Sequence, residues 1–400
     1  MWQKILRRKK FIGVLITTVL LMAAGISYAV GVDGPEVREL SLSAALDLAV
    51  KNNPDMELAD LTVRKAEINY DSAKRTAARM DVEEDILNGK SGNFPLTPAA
   101  QYQLGLTYWV QPKATEAAYI LAQKKKELQA NQLKLNVETT YYNVLKAQKN
   151  LAIKRENLKY FQDQLKIAQT GYKIGTRAKV DITVAESAVA AYQAQVAGAD
   201  NNYRASLIDL NRLMALDLDT PLKLTTQLNL DKIGAKVDIN ATIKDALEDN
   251  VNILEYKKNL ETAKVLAEVA KRFNGPGVPV YSTSDLDAKM AEVNVSKQSV
   301  LLTAAIKKSY LSLLTLEQSI DWQTKEVEKA KENAKVYALK YEAGLATGLD
   351  AKKATIDLEQ AEENLSGSIY QYNTLKSSFK YGIFDTGSGN FNAGMAAAAQ

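Results

Sequence analysis

The chain contains no cysteine and no histidine. Disulfides, thiol nucleophiles, imidazole bases and imidazole-held metals are therefore excluded, and with them most soluble-enzyme chemistry. Catalysis would fall to carboxylate, lysine, serine or tyrosine side chains, and no motif assembles them. No catalytic residue, metal site or cofactor is expected. Proline is scarce, 8 in 400 residues, and so is phenylalanine, 7 against 19 tyrosines. With abundant Ala, Leu, Lys, Glu and Gln, this is the mixture of long helices with wetted faces. The length would hold two ordinary domains, but a duplicated unit can also fold as one.

An excess of either charge is also missing once the N-terminus is set aside. Lys4, Arg7, Arg8, Lys9 and Lys10 precede an apolar run from Phe11 to about Ala24, then Ser27-Tyr28-Ala29. This is the pattern of a cleaved Sec-type signal over residues 1–29, with the mature chain starting near Val30. A retained N-terminal anchor is the alternative. The arginines are not in twin-arginine spacing, because Phe11 lies one residue too far along. Without residues 1–29 the balance is 46 basic to 47 acidic residues. Nothing basic then argues for nucleic acid as a partner.

Helical periodicity begins at Leu40 and runs to Arg75, interrupted at Asn52-Asn53-Pro54, which predicts a short helix, a break and a second helix. Residues 76–113 carry Asn88-Gly89, Ser91-Gly92-Asn93, Pro95 and Pro98, then an alternation that places Tyr102, Leu104, Leu106, Tyr108 and Val110 on one face. That alternation predicts a strand. Trp109 and Tyr108 at its end are either membrane-interface anchors or the cap of a hydrophobic patch on the bundle. From Ala114 to Thr170 there is neither Pro nor Gly, enough for a straight helix of roughly 85 Å. Ala130, Val137, Val144, Leu151, Leu158, Leu165 and Tyr172 recur every seven positions, the spacing of coiled-coil packing.

The chain also repeats itself. At an offset of 169, Val137, Tyr141, Val144, Leu145 and Leu151 fall on Ile306, Tyr310, Leu313, Leu314 and Ile320. The same offset carries Tyr172 onto Tyr341, Gly175 onto Gly344, Asp181 onto Asp350 and Tyr203 onto Tyr372. Ahead of the long helices the offset is 197, pairing Ala44 with Ala241 and Asn53 with Asn250. The difference is an insertion of 28 residues in the first half, between Arg75 and its long helix. The organisation read from this is residues 30–214 as a first repeat, 215–238 as a linker, 239–385 as a second repeat and 386–400 as a disordered tail.

Tyr172-Lys-Ile-Gly175-Thr-Arg177-Ala-Lys-Val-Asp181 and Tyr341-Glu-Ala-Gly344-Leu-Ala-Thr-Gly348-Leu-Asp350 stand where the long helices end. Gly suits the left-handed residue that closes a helix and Asp the N-cap of the next, so both are read as helical-hairpin turns. The lysines 124–126 and the Lys/Glu alternation from Lys325 to Glu332 are solvated helix faces.

The duplicated order of short helix, Asn-Pro break, helix, strand region, very long helix, Tyr-x-x-Gly turn and long return helix resembles the TolC-like outer-membrane efflux family, from about Leu40 to Phe384. The resemblance implies a mainly α fold of long coiled-coil-like hairpins duplicated in tandem, an α-tunnel protomer. It implies a homotrimer forming a periplasm-crossing tunnel, with the strands closing one barrel in the outer membrane. The paired turns would meet a periplasmic adaptor of an inner-membrane pump. Tyr172, Gly175, Arg177, Asp181, Tyr341, Gly344 and Asp350 would form that adaptor-binding tip. Tyr341 would hold the closed tip and Asp350 would stand near an acidic constriction, although the family's next acid is Lys353 here. The function implied is a passive conduit for efflux or type I-like secretion. The alternative is a non-pore envelope scaffold of the same fold.

The strand region departs from the resemblance. A membrane-spanning strand needs roughly 9 to 11 residues, and Phe273 to Tyr281 cannot hold two of them and a turn. The barrel is therefore expected to be vestigial, with at most a small β cap at Tyr102, Leu104, Leu106, Tyr108, Trp109 and Val110, and membrane association weaker than the family's.

Overall fold

The structure, a computed structural model, describes residues 37–79, 89–91, 94–227, 230 and 232–386. The expected signal (1–29) and nearly all of the expected tail lie outside the described residues. A first unit, Met1–Arg38, falls almost wholly outside them too, and the fold is that of the second unit, Glu39–Gln400.

Strand β1 (Arg38–Leu40) leads into helices α1 (Leu42–Asn52) and α2 (Pro54–Arg79), divided by a single asparagine. The Asn53 N–H closes α1 on Ala49 O, its Oδ1 accepts from Asp55 N at 2.9 Å to open α2, and its Nδ2 donates to Leu213 O at 3.0 Å. Pro54 fits here because the first helical position needs no N–H. Asn250 repeats the device between α6 (Ile239–Asp249) and α7 (Val251–Phe273), its Oδ1 accepting from Asn252 N and Ile253 N.

A two-residue β hairpin follows, β2 (Lys90–Ser91) against β3 (Phe94–Pro95), and then the first correction. Tyr102–Val110 is not a strand. Thr97 caps α3 (Pro98–Gly105), and Leu106–Val110 forms one π-helical turn that runs without a break into α4 (Gln111–Lys173). The alternation misleads because Tyr102, Leu106 and Val110 are also spaced i, i+4, i+8, and over so short a run the two periods coincide. Packing decides. Tyr102, Leu104, Leu106, Tyr108, Trp109 and Val110 close on Val269 and Phe273 of α7, which a helix can reach from every turn. Gly105 lets them approach: a Cβ there would meet Val269, Phe273 and Trp109 at 3.0–3.1 Å. Trp109 stacks on Phe273 with centroids 6.1 Å apart, which places its ring on this hydrophobic patch.

Helix α4 (63 residues) turns back into α5 (Lys179–Leu213), and α8 (Pro279–Glu342, 64 residues) into α9 (Gly348–Tyr381). Each long helix is about 95 Å at 1.5 Å per residue. The expected heptad core is present where the hairpins begin. Val137, Val144 and Leu151 are buried, and so are their counterparts Ile306, Leu313 and Ile320. Toward the turns the buried line moves to Phe161, Gln164 and Ala168, as a straight helix drifts off a strict seven-residue repeat.

The two hairpins lie side by side through α4 and α9, while α2 and α7 pack on the opposite half of α4 and α7 packs on α8. The far edges of this layer are α2 and α8 in one half, α5 and α8 in the other. The linker crosses the middle as β4 (Leu222–Leu224), paired with the Leu40 end of β1, and a 3₁₀ turn at Gly234–Lys236. Two buried phenols pin it. Tyr141 OH donates to Leu40 O and accepts from Thr226 N, and Tyr372 OH accepts from Ile233 N and donates to Glu317.

Candidate functional site

The two turns end both hairpins at the same end of the molecule. In each, glycine takes a left-handed φ, +78° at Gly175 and +73° at Gly344, where any other residue is strained. The carbonyls of the last helical turn are closed by Gly175 N on Tyr172 O, and by Gly344 N on Tyr341 O. The aspartates correct the sequence expectation. The N-caps are Ala178 and Thr347, and Asp181 and Asp350 sit three residues later, reaching back. Asp350 accepts from Thr347 N at 3.0 Å and from its hydroxyl at 2.6 Å, while Thr347 Oγ1 accepts from Asp350 N, a complete capping box. The Thr347 hydroxyl and N–H hold the Asp350 carboxyl below the usual range. Asp181 makes only its half of the box, to Ala178 N at 3.0 Å, since alanine returns nothing.

Arg177 joins the turns. Its Nη2 donates to Tyr341 O at 2.8 Å and its guanidinium lies 4.2 Å from the centroid of the Tyr341 ring. Tyr341 is accordingly 3% exposed, and burial pushes its phenol up, offset in part by Arg177. Of the expected tip residues, the structure thus brings together Arg177, Asp181 and Tyr341. Tyr172 stays apart, 48% exposed. Sequence reasoning missed Gly171: a Cβ there would lie 2.4 Å from Arg177 Cγ, so its absence makes room for the arginine stem. It also missed the apolar crown of the turns, Ile174 (70% exposed), Leu345 (79%), Val180 and Leu349. Beneath them a cleft of about 100 Å³ opens between the hairpins, bordered by Phe161, Gln164, Ala185, Tyr341 and Leu349.

Above the turns the seam between α4 and α9 is held by two buried carboxylates. Glu359 of α9 pairs with Lys154 and accepts from Asn157 Nδ2 at 2.6 Å and Tyr192 OH at 2.8 Å. Glu138 of α4 pairs with Lys380 at 2.5 Å and accepts from Ser377 Oγ and from Tyr381 OH at 2.7 Å. Burial and Glu138 push the Tyr381 phenol up. Between them Lys146 lies over the Tyr370 ring at 5.4 Å. The seam is therefore a run of paired polar groups, and the hydrophobic contacts lie within the hairpins and at their roots.

The model of the outer membrane efflux protein family matches residues 45–216 and 282–379. The chain belongs to that family. Its architecture is that of the outer component of an efflux system, and membership places it among transport channels. The toxin and drug export protein A of Aggregatibacter actinomycetemcomitans is 20% identical over 353 residues, 84% of this chain and 75% of its own. The secreted 45 kDa protein of Lactococcus lactis subsp. cremoris is 28% identical over 116 residues, 28% of this chain and 24% of its own. Among solved structures, the Campylobacter jejuni outer membrane channel CmeC superposes with a TM-score of 0.65 at 15% identity, over 90% of this chain and 88% of its own. The Vibrio cholerae outer membrane protein VceC does so with 0.63 at 12%, over 85% and 94%. At such identities the likeness is one of fold. Among the described residues of this efflux-family chain no strand exceeds three residues, so the expectation of a reduced β region holds while its proposed place at Tyr102–Val110 does not.

Proposed function

We propose that three copies close into a ring that serves as a passive export conduit in the cell envelope, its turns docking on a periplasmic adaptor of an inner-membrane pump. The observation that carries this reading is the pair of free edges. On α2, Leu58, Leu61 and Ile68 are exposed, and on α8, Leu286, Met290, Val293 and Val300. In the hairpin half, Val180, Val184 and Ile208 of α5 are exposed, with Leu311, Trp322, Val336 and Leu339 of α8. Each edge has helical spacing and no partner among the described residues, and the left and right edges differ. Such an interface is head-to-tail, and it covers all its apolar surface only if it closes. The apolar turns Ile174 and Leu345 stay free in that ring and supply the docking surface for the adaptor, with Arg177 and Tyr341 holding the two turns together. Toxin and drug export, the role in the name of one relative, fits the transport class.

The test is a pair of measurements on the exported protein. Light scattering should read three times the protomer mass, and deleting the gene should raise dye accumulation in the cell, reversed by the intact chain. A second reading, a non-pore scaffold of the same fold, is favoured by the absence of membrane-length strands among the described residues. It predicts a weakened envelope with dye accumulation unchanged.

A further inference from the structure

Where the linker crosses from one repeat to the other, it leaves a groove of about 720 Å³ over the root of the seam, a volume in the roughly 300–1,000 Å³ range of small-molecule sites. Two of its walls are helix faces of one spacing and opposite charge. On α6 and its N-cap, Asp238, Ala241, Thr242 and Asp245 stand at i, i+3, i+4 and i+7, and on α9 Asn373, Lys376, Ser377 and Lys380 do the same. Lys236, in the 3₁₀ turn, adds another ammonium to the rim, and Leu42, Tyr142, Ile233 and Phe379 add apolar surface. Lys380 is spent on Glu138 at 2.5 Å. Lys236 and Asp245 are exposed, and neither has an ion-pair partner among the described residues. The backbone under both is fixed. Ile233 N donates to Tyr372 OH at 2.7 Å and Gly234 N to Glu317 Oε1 at 2.8 Å, while one oxygen of Asp238 accepts from Asn240 N at 3.0 Å and Ala241 N at 3.1 Å to open α6. Burial and the neighbouring Glu138 push the Tyr142 phenol up to about 12, so it stays a hydrogen-bond donor at any physiological pH.

We propose that this groove binds a short zwitterionic peptide, its free amine toward Asp245 and its free carboxylate toward Lys236, extended between α6 and α9. A polyanion would meet the two aspartates and a polycation the lysines, whereas a ligand with one charge of each sign complements both walls. Between its ends a peptide carries N–H and C=O groups that must be matched as they leave water. Tyr142 and Gln227 line the groove and offer a hydroxyl and an amide, each both donor and acceptor. The acidic face from Asp238 to Asp245 is about 10 Å long, at 1.5 Å per helical residue, which is the reach of roughly three extended residues. Because the linker turn and the start of α6 are already held, little of the protein has to be ordered on binding. The groove lies within one protomer, so the site is complete without the ring.

Calorimetric titration of the exported full chain with tetraalanine, a zwitterion at neutral pH, tests this. The wild type should bind it saturably, and N-acetylation or C-amidation of the peptide should each weaken binding about tenfold or more. The two preferences should separate in two exposed variants with unchanged circular dichroism. Asp245→Asn should bind the acetylated and the free peptide alike, and Lys236→Gln the amidated and the free peptide alike. No binding of tetraalanine, equal binding of the doubly capped peptide, or either variant keeping both preferences would overturn the proposal. So would binding that appears only when residues 387–400 are deleted, since the groove would then belong to the chain's own tail. None of these readouts involves export, so a chain that forms no conduit can still bind the peptide, and a working conduit can fail to.

Discussion

Tyr172 and Tyr341 occupy the same place in the two repeats, yet one is exposed and the other buried. The difference comes from the neighbours: the first turn has Arg177 where the second has Ala346, and Gly171 where the second has Lys340. Duplication supplied two like turns, and a few substitutions made one the donor and the other the acceptor of a single contact. An internal repeat predicts backbone well, because backbone follows periodicity and glycine. It predicts side-chain partnership poorly, because that depends on the residue reaching across from the other copy.

The contact at the turns is weaker than the seam above it, and this ordering can be broken. Lys154→Met leaves Glu359 buried beside only neutral donors, and a loss of about 3 kcal/mol in urea unfolding is expected. Lys154→Met with Glu359→Leu should recover most of it, since an apolar pair carries no buried charge. A single variant as stable as wild type would mean that the seam does not bind the hairpins together.

Arg177→Ala removes one charge-assisted hydrogen bond and one ring contact, together about 1–2 kcal/mol. It should also sharpen the comparison by making the two tyrosines alike. Burial is the larger influence on the Tyr341 phenol, so its titration should move down toward the ordinary value near 10 in an alkaline absorbance scan. Gly171→Ala should do part of the same, because the new methyl displaces the arginine stem, at a cost of about 1 kcal/mol.

The smallest effect concerns the caps. Asp350 is held below its ordinary value by Thr347, so its contribution is present above the usual Asp range near pH 4 and is lost as pH falls through the lowered value. Thr347→Ala makes the second turn resemble the first, and the Asp350 carboxyl resonance should then titrate at higher pH. An unchanged titration would show that the hydroxyl contributes nothing.

The hairpins, the Asn53 and Asn250 breaks and both turn glycines are legible in the sequence, whereas the free apolar edges emerge only once the helices are packed. The segment Tyr102–Val110 was not legible, because two periods fit its few residues and only α7 chooses between them. Glu138 and Glu359 were not, because a glutamate among lysines on a long helix reads as a solvated face until the second hairpin covers it. Arg177 was marked for its turn, but its partner Tyr341 stands in the other repeat, which no local spacing reveals.

The central claim is that the two unlike edges of one protomer meet in the next and close after three. A chain without native cysteine gives a clean test: Ile68→Cys on α2 with Val293→Cys on α8, joined by a short bis-maleimide. The account predicts covalent dimers and trimers and nothing larger. A ladder running past three, or crosslinked material that remains monomeric, would contradict it.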